Sequence, residues 1–317
     1  MQQRFLGRTG LRVSRLGLGT LTWGRDTDEH EARDQLIAFT EAGGTLLDTA
    51  ASYGDGASEE LIGSFLGDVV ARDEVVIATK AGINRARGSR GTDVSRGSLI
   101  RTLDASLRRL GVDHVDLWQV HTWVDDVPLE ETLSALDYAV ATGRASYVGV
   151  ANYAGWQSAK AATLQSAVTG RARLASNQVE YSLMNRSAEA EVIPAAQDLG
   201  LGVLPWSPLG RGVLTGKYRT GTPADSRAAS PHFANFVGAY LTDLHARIVE
   251  AVARAADGLS WTPMEVALSW VRDRPGVTSP IVGARTAAQL RGALTVEECE
   301  LPSEIVAALE DVSAPTT

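Results

Sequence analysis

The feature that most constrains this chain is an alternation. Short apolar, β-rich runs recur at residues 16–18, 46–48, 75–79, 115–120, 146–150, 174–179, 202–205 and 279–282. Longer amphipathic, helix-like runs separate them, at 28–42, 58–66, 96–110, 129–141, 154–168, 188–199 and 241–256. Two more follow, at 286–294 and 302–312. Strands that are apolar throughout belong to a parallel sheet covered on both faces. Eight strand–helix units point to a closed (β/α)8 barrel, the TIM barrel of the α/β class.

An open doubly wound sheet would need a G-x-G-x-x-G turn opening an early helix. The nearest match supplies Gly17 and Gly19 but has Thr22 in the third place, and the helical pattern starts only near Asp28. Runs 4–6 and 11–14, around Gly7 and Gly10, read as an N-terminal β-hairpin, and the two last helical runs read as C-terminal extra helices. No low-complexity linker divides the chain, so residues 1–317 are expected to form one barrel domain. The stretches 81–95 and 207–239 read as long loops, which in a compact barrel usually bind or cover a ligand.

Composition narrows the function. A net charge of -8 argues against nucleic acid or an anionic membrane as the main partner. No run is long and apolar enough for a membrane span, so a soluble cytoplasmic protein is expected, with its oligomeric state open. The single cysteine, Cys299, sits among Glu297, Glu298 and Glu300, whose charge opposes a thiolate. None of the five histidines forms a zinc-type pair, and neither a nucleophile elbow nor a P-loop is present. No metal site is expected.

A barrel of this kind places its chemistry at the C-terminal ends of the strands. The ionisable residues there are Asp48, Tyr53 in the loop that follows it, Lys80 and His121. Each alone could be structural. Together they form a proton-donating unit. A free tyrosine, with a pKa of about 10, is a poor acid at neutral pH. A neighbouring ammonium favours the phenolate and so eases donation. Asp48 would hold Lys80 charged, and His121 would orient a carbonyl oxygen or share the proton. Such an acid suits a carbonyl that receives hydride, which requires a cofactor.

These residues lie within longer motifs. They are GTLLDTAASYG at 44–54 with Ser58 and Glu59, SLRRLGVD at 106–113, DLWQVH at 116–121 and GVAN at 149–152. Asn177-Gln178, PWSPLGRG at 205–212, GKY at 216–218 and GART at 283–286 complete the series. In this order the set resembles the aldo-keto reductase superfamily over nearly the whole chain. It is most similar to the branch of potassium-channel β-subunits and bacterial general-stress proteins.

The resemblance implies that Asp48, Tyr53, Lys80 and His121 are a catalytic tetrad and that NADPH/NADP+ lies across the barrel mouth. It implies that Asn152 and Gln178 hold the carboxamide and that Trp206 stacks on the nicotinamide. Ser207, Leu209, Gly210, Gly212, Lys217 and Arg227 would surround the pyrophosphate and ribose, and Arg285 and Gln289 the adenosine 2′-phosphate. Gly19, Thr20, Asp48 and Gly283 are likewise expected at the cofactor. Two departures from the family pattern, Ala151 in place of Ser and Gly292-Ala293 in place of Glu-Asn, suggest weaker cofactor binding.

The substrate is expected among Trp23, Tyr53, His121 and Trp123, with the loop 83–90, whose Arg85, Arg87 and Arg90 could attract anions. The stretch 222–236 is expected to close over the site. The leading expectation is therefore NADPH-dependent reduction of small-molecule aldehydes or ketones, with Tyr53 as general acid. The alternatives are an NADP-binding redox sensor or accessory protein with slow turnover, and an alcohol dehydrogenase working in the oxidative direction.

Overall fold

The apolar strand runs pair side by side and close on themselves in the computed structural model, which describes residues 1–84, 91–224, 226–230 and 232–315. The chain opens with an antiparallel hairpin, β1 (Gln3–Phe5) and β2 (Arg12–Ser14). Barrel strands β3 (Gly17–Gly19), β4 (Leu46–Asp48) and β5 (Val76–Ala81) follow. A short antiparallel pair, β6 (Ile83–Asn84) and β7 (Gly91–Thr92), lies outside the barrel. The barrel resumes with β8 (Val115–Val120), β9 (Ala145–Ala151), β10 (Leu174–Glu180), β11 (Gly202–Trp206) and β12 (Ile281–Val282). Around the barrel the order is β3-β4-β5-β8-β9-β10-β11-β12, and β12 pairs with β3 to complete a parallel ring.

The helices lie outside this ring. They are α1 (Glu29–Glu41), α2 (Ala57–Phe65), α3 (Arg96–Leu110), α4 (Leu129–Ala141), α5 (Gly155–Ser166) and α6 (Val192–Leu199). Then come α7 (Ala234–Gly238), α8 (Asp243–Leu259), α9 (Pro263–Arg272), α10 (Ala287–Leu294) and α11 (Ser303–Val312). The ends follow local chemistry. Asp28 caps α1 by accepting from the Glu31 N–H, and Gly111 ends α3 in the left-handed conformation. Among the described residues no helix is long and apolar enough to cross a membrane.

Three differences from the sequence expectation have local causes. Helix α9 was not expected, although Thr262 and Glu265 form a reciprocal capping box with Pro263 at the first helical position. Helix α6 starts at Val192 rather than near residue 188, because Ser187–Glu189 form a separate 3-10 turn. The 207–239 stretch contains structure of its own: 3-10 turns at Gly210–Thr215 and Arg227–Ala229, then α7.

The hairpin plugs the bottom of the barrel. Leu6 is fully buried in a cluster with Leu46, Ala78, Leu117, Ala175, Leu204 and Ile281, the inward residues of six strands. Gly7 makes this possible. It has φ +57, and a Cβ there would stand 2.4 Å from the Gly200 carbonyl oxygen. Period-2 alternation then carries the inner wall upward from Leu46 to Asp48 and from Ala78 to Lys80. Strand β10 breaks that alternation. Its register against β9 slips between Leu174 and Asn177. Such a bulge re-aims side chains. Asn177 turns outward to the Tyr153 carbonyl and Ser158, and Gln178 reaches inward.

Candidate active site

The residues nominated from strand ends meet at the mouth. Lys80 is 1% exposed, and its Nζ donates to both Asp48 carboxylate oxygens at 2.7 and 2.8 Å and to the Thr49 carbonyl at 2.8 Å. Gln178 Nε2 donates to Asp48 Oδ1 at 2.7 Å. Burial works against the charge on Lys80, but Asp48 and a hydrogen bond with Tyr53 overcome it and raise its pKa. The Lys80 ammonium lies 5.3 Å from the centroid of the Tyr53 ring. The Tyr53 and His121 rings stand edge to face, 6.1 Å between centroids. The phenol, the ammonium, the carboxylate and the imidazole thus form one cluster. Tyr53 and His121 are half-buried above a fully buried Lys80–Asp48 pair.

A second chain of contacts runs along the opposite side of the mouth. Asn152, at φ 58, donates from Nδ2 to the His121 carbonyl and accepts from Trp206 Nε1, both at 2.9 Å. Asn152 thereby ties the His121 backbone to the Trp206 ring. Phe236 lies nearly parallel to Trp206, with centroids 6.4 Å apart and planes within 19°. Phe236 ends the stretch expected to close over the site, but the sequence does not single out its ring or the group that fixes it. Arg211 stacks 3.8 Å over its ring and donates to the Phe236 carbonyl and to Glu180. The signal for Arg211 was its place in PWSPLGRG between two glycines.

The residues expected around a phosphorylated cofactor gather beside this chain. Ser207, Gly210, Arg211 and Gly212 all have positive φ, which folds the backbone tightly after β11. A Cβ on Gly212 would stand 3.5 Å from Lys217 Nζ. A cavity of about 120 Å3 is lined by Thr22, Asp26, Ser226, Arg227, Phe233 and Arg285, among others. Packing around Arg227, then repulsion from Arg285 and Arg25, lowers its pKa despite Tyr218 and Asp26. Ser226 Oγ and Arg285 Nε are buried with no hydrogen-bond partner among the described residues. A cationic pocket with unused donors suits a phosphate. Gly283 borders it, since a Cβ there would be 3.4 Å from Arg227 Nη2. Gln289 is exposed on α10 and accepts from the Arg285 N–H. Leu209 packs against the main core.

Some expectations need correction. Trp23 is 0% exposed. Its Nε1 donates to Gln35 of α1 and its ring packs edge-on against Phe65 of α2, so it belongs to the barrel–helix layer and lines no substrate pocket. Thr20 is fully buried. Its N–H and hydroxyl donate to the Asp48 carbonyl, and its carbonyl and hydroxyl oxygens accept from Ser58, so it positions Asp48 rather than facing a cofactor. Gly19 is likewise wall, with a Cβ there only 2.8 Å from Ile281 Cγ2. Trp123 stands at the rim, edge-on to Tyr153 and Trp156, with Nε1 on Asp125 at 2.6 Å. Trp156, 55% exposed, was not nominated. Arg85, Arg87 and Arg90 lie outside the described residues.

Other positions are structural. Ala293 packs in an apolar cluster with Leu16, Leu268, Val282 and Val296. Cys299 is buried, and burial with Glu265 and Glu298 raises its pKa, against a nucleophilic role.

Comparison with known proteins gives the family. Residues 15–314 match the model of the aldo/keto reductase family. Over 98% of this chain and 96% of its own length, an uncharacterized oxidoreductase, YrpG of Bacillus subtilis, is 38% identical. A probable voltage-gated potassium channel subunit beta of Oryza sativa subsp. japonica is 36% identical over 90% of this chain and 87% of its own length. L-glyceraldehyde 3-phosphate reductase of Escherichia coli O157:H7 is 34% identical over 92% of this chain and 86% of its own length. The chain belongs to the aldo/keto reductase family, and with it to the oxidoreductases that act on carbonyl groups and generally use a nicotinamide cofactor.

Proposed function

We propose that this protein reduces aldehydes or ketones to alcohols with NADPH, and that Tyr53 is the general acid. The observation that carries this reading is the contact of Tyr53 with an ammonium buried behind it and held charged by Asp48.

NADPH, when bound, supplies hydride to the carbonyl carbon. The chain's own residues do the rest. Tyr53 donates its hydroxyl proton to the carbonyl oxygen. The Lys80 ammonium stabilises the phenolate that remains, with no solvent reorganisation, because Asp48, Thr49 and Gln178 already fix the pair. His121, edge-on to Tyr53, orients the carbonyl oxygen toward the phenol. Asn152 and Trp206 border the same mouth and suit the carboxamide and ring of a nicotinamide. The unused donors of Ser226 and Arg285, beside Arg227, favour the 2′-phosphorylated cofactor over NADH.

The rim points to the substrate. Trp123 and Trp156 present aromatic surface two residues beyond His121 and at the start of α5. Asp125 and Asp126 are exposed beside them. This suits an uncharged carbonyl compound with an apolar or aryl part better than a phosphorylated sugar. Two of the relatives named above are called a channel subunit and a phosphosugar reductase. The first suggests a second reading, a cofactor-holding protein with slow turnover, for which the Arg211 clasp on the 207–240 segment is the favouring feature.

The deciding experiment follows NADPH absorbance with 4-nitrobenzaldehyde, methylglyoxal, a sugar aldehyde and pyridoxal, for the native chain and Tyr53→Phe. Turnover by the native chain, lost in Tyr53→Phe with NADPH still bound, supports the reductase. Tight NADPH binding without turnover in either direction favours the second reading. Full activity in Tyr53→Phe removes Tyr53 as the acid.

A further inference from the structure

Glu59 is a carboxylate with no exposed surface, in the first turn of α2. At the third position of a helix a glutamate can turn back to the N-cap backbone, as in a capping box. Here it does not. Its Oε1 accepts from the Thr79 hydroxyl at 2.6 Å. Its Oε2 takes Arg109, from Nε at 2.8 Å and from Nη2 at 2.6 Å. Arg109 is half-buried, and an ion pair whose carboxylate is fully buried is weak as a source of stability, because desolvation offsets most of the attraction. What this one does is connect.

Thr79 is the residue before Lys80 on β5. Alternation along the strand turns Thr79 outward to α2 while Lys80 turns inward to Asp48. The bond to Glu59 therefore fixes the strand at the point where the ammonium is presented. Arg109 comes from the last turn of α3. Its stem lies against Gly56, where a Cβ would be 2.7 Å from both Cδ and Nε. Gly56 closes the turn that leads from Tyr53 into α2. In that turn Gly54, Asp55 and Gly56 all have positive φ, at 57, 55 and 106°. Arg109 thus holds the turn from below. One carboxylate ties together the strand that carries Lys80 and the turn that carries Tyr53.

We propose that Glu59 and Arg109 are positioning residues for proton transfer. They set the geometry between the Tyr53 hydroxyl and the Lys80 ammonium without touching either. The proposal rests on the reading of Tyr53 as the acid. It also accounts for two motif residues that the tetrad leaves without a task, since Glu59 and Arg109 belong to separate stretches of the sequence.

The test uses the full chain with NADPH and 4-nitrobenzaldehyde. Glu59→Gln keeps the volume and an acceptor for Thr79, and removes the charge that holds Arg109. We expect kcat to fall about tenfold or more, as for a misplaced catalytic group. KM for the aldehyde and Kd for NADPH stay within about twofold of the native values. The alkaline limb of the kcat–pH profile shifts, because the ammonium no longer meets the phenol as before. Arg109→Lys, which keeps the charge, retains more kcat than Arg109→Met.

Native kcat and an unshifted pH profile in folded Glu59→Gln overturn the proposal. If Glu59→Gln does not fold, Thr79→Val removes only the strand-side bond and decides the matter. A lower kcat with a shifted profile supports positioning, and native behaviour overturns it. Tyr53→Phe is assayed alongside. If it is inactive while Glu59→Gln is native-like, only the positioning proposal falls. If it is fully active, the acid assignment falls and the positioning proposal with it.

Discussion

Arg211 clasps Glu180 with two parallel hydrogen bonds, Nε to Oε1 at 2.9 Å and Nη2 to Oε2 at 2.8 Å. The clasp joins the end of β10 to the turn after β11. It also reaches into the segment beyond, because the guanidinium stacks on Phe236 and Tyr240 and donates to the Phe236 carbonyl. Tyr240 adds a hydrogen bond to Glu180 Oε1 at 3.0 Å. Arg211 does this at φ 59, a conformation that costs a non-glycine residue about 1 kcal/mol.

This clasp predicts a kinetic effect on the cofactor. Lysine cannot reproduce a planar fork that also stacks on two rings. In Arg211→Lys, Phe236 loses its anchor and Trp206 loses its parallel neighbour. NADPH is expected to dissociate about tenfold faster, with a smaller change in its association rate. Stopped-flow displacement measures both, and an unchanged dissociation rate would show that the segment does not retain the cofactor.

The Lys80–Asp48 pair predicts a stability effect with a defined pH dependence. In Lys80→Met the Asp48 carboxylate stays buried without its countercharge, which costs about 3–5 kcal/mol. The folded-state pKa of Lys80 is raised, so its contribution is fully present below the unfolded value of about 10.4. It is lost only as pH rises through the still higher folded value. Urea unfolding should therefore show the same native-minus-variant difference at pH 7 and pH 9. A difference that shrinks across that interval would mean that Lys80 titrates there, and the ion pair would not have the strength assigned to it.

Much of this is legible in the sequence, and the boundary has physical reasons. Strand ends are legible because apolar runs stop where the barrel stops, and a barrel of this kind presents its ionisable groups there. Asp48, Lys80 and His121 all stand at such stops. Trp23 was misplaced because position after a strand does not say which way a side chain turns, and its ring turned back under α1. Gln178 was placed by motif, since strict alternation along β10 would have aimed Asn177 inward. Helix α9 was missed although its capping box is plain in Thr262 and Glu265. Arg211 and Glu59 act on groups distant in sequence, and no local pattern announces a partner 31 or 50 residues away.

The aromatic rim predicts a choice among substrates. Trp156 lies 5.4 Å from Trp123 and keeps 55% of its surface exposed, so its removal leaves the fold intact. An aromatic pair of this kind contributes about 0.5–1.5 kcal/mol. Trp156→Ala is expected to raise KM for 4-nitrobenzaldehyde by about three- to tenfold and to leave methylglyoxal nearly unchanged. Equal effects on both aldehydes would exclude the rim as a binding surface for the aryl part.

The proposed role of the cationic pocket predicts a difference between the two nicotinamide cofactors. Arg227 and Arg285 flank the same small cavity, and each repels the other's charge. A 2′-phosphate held there, as proposed, would relieve that repulsion. The ribose hydroxyl that NADH offers would not. A charged hydrogen bond contributes about 1.5–3 kcal/mol, so Arg285→Ala should weaken NADPH binding by roughly ten- to hundredfold. NADH affinity should hold or rise slightly, because one of two mutually repelling cations has gone and no phosphate contact is lost. Fluorescence titration with both cofactors gives the ratio. Salt separates the causes further: the NADPH affinity of the native chain should fall with ionic strength more steeply than that of the variant. If Arg285→Ala weakened both cofactors alike, the arginine would be shaping the cavity rather than reading the phosphate.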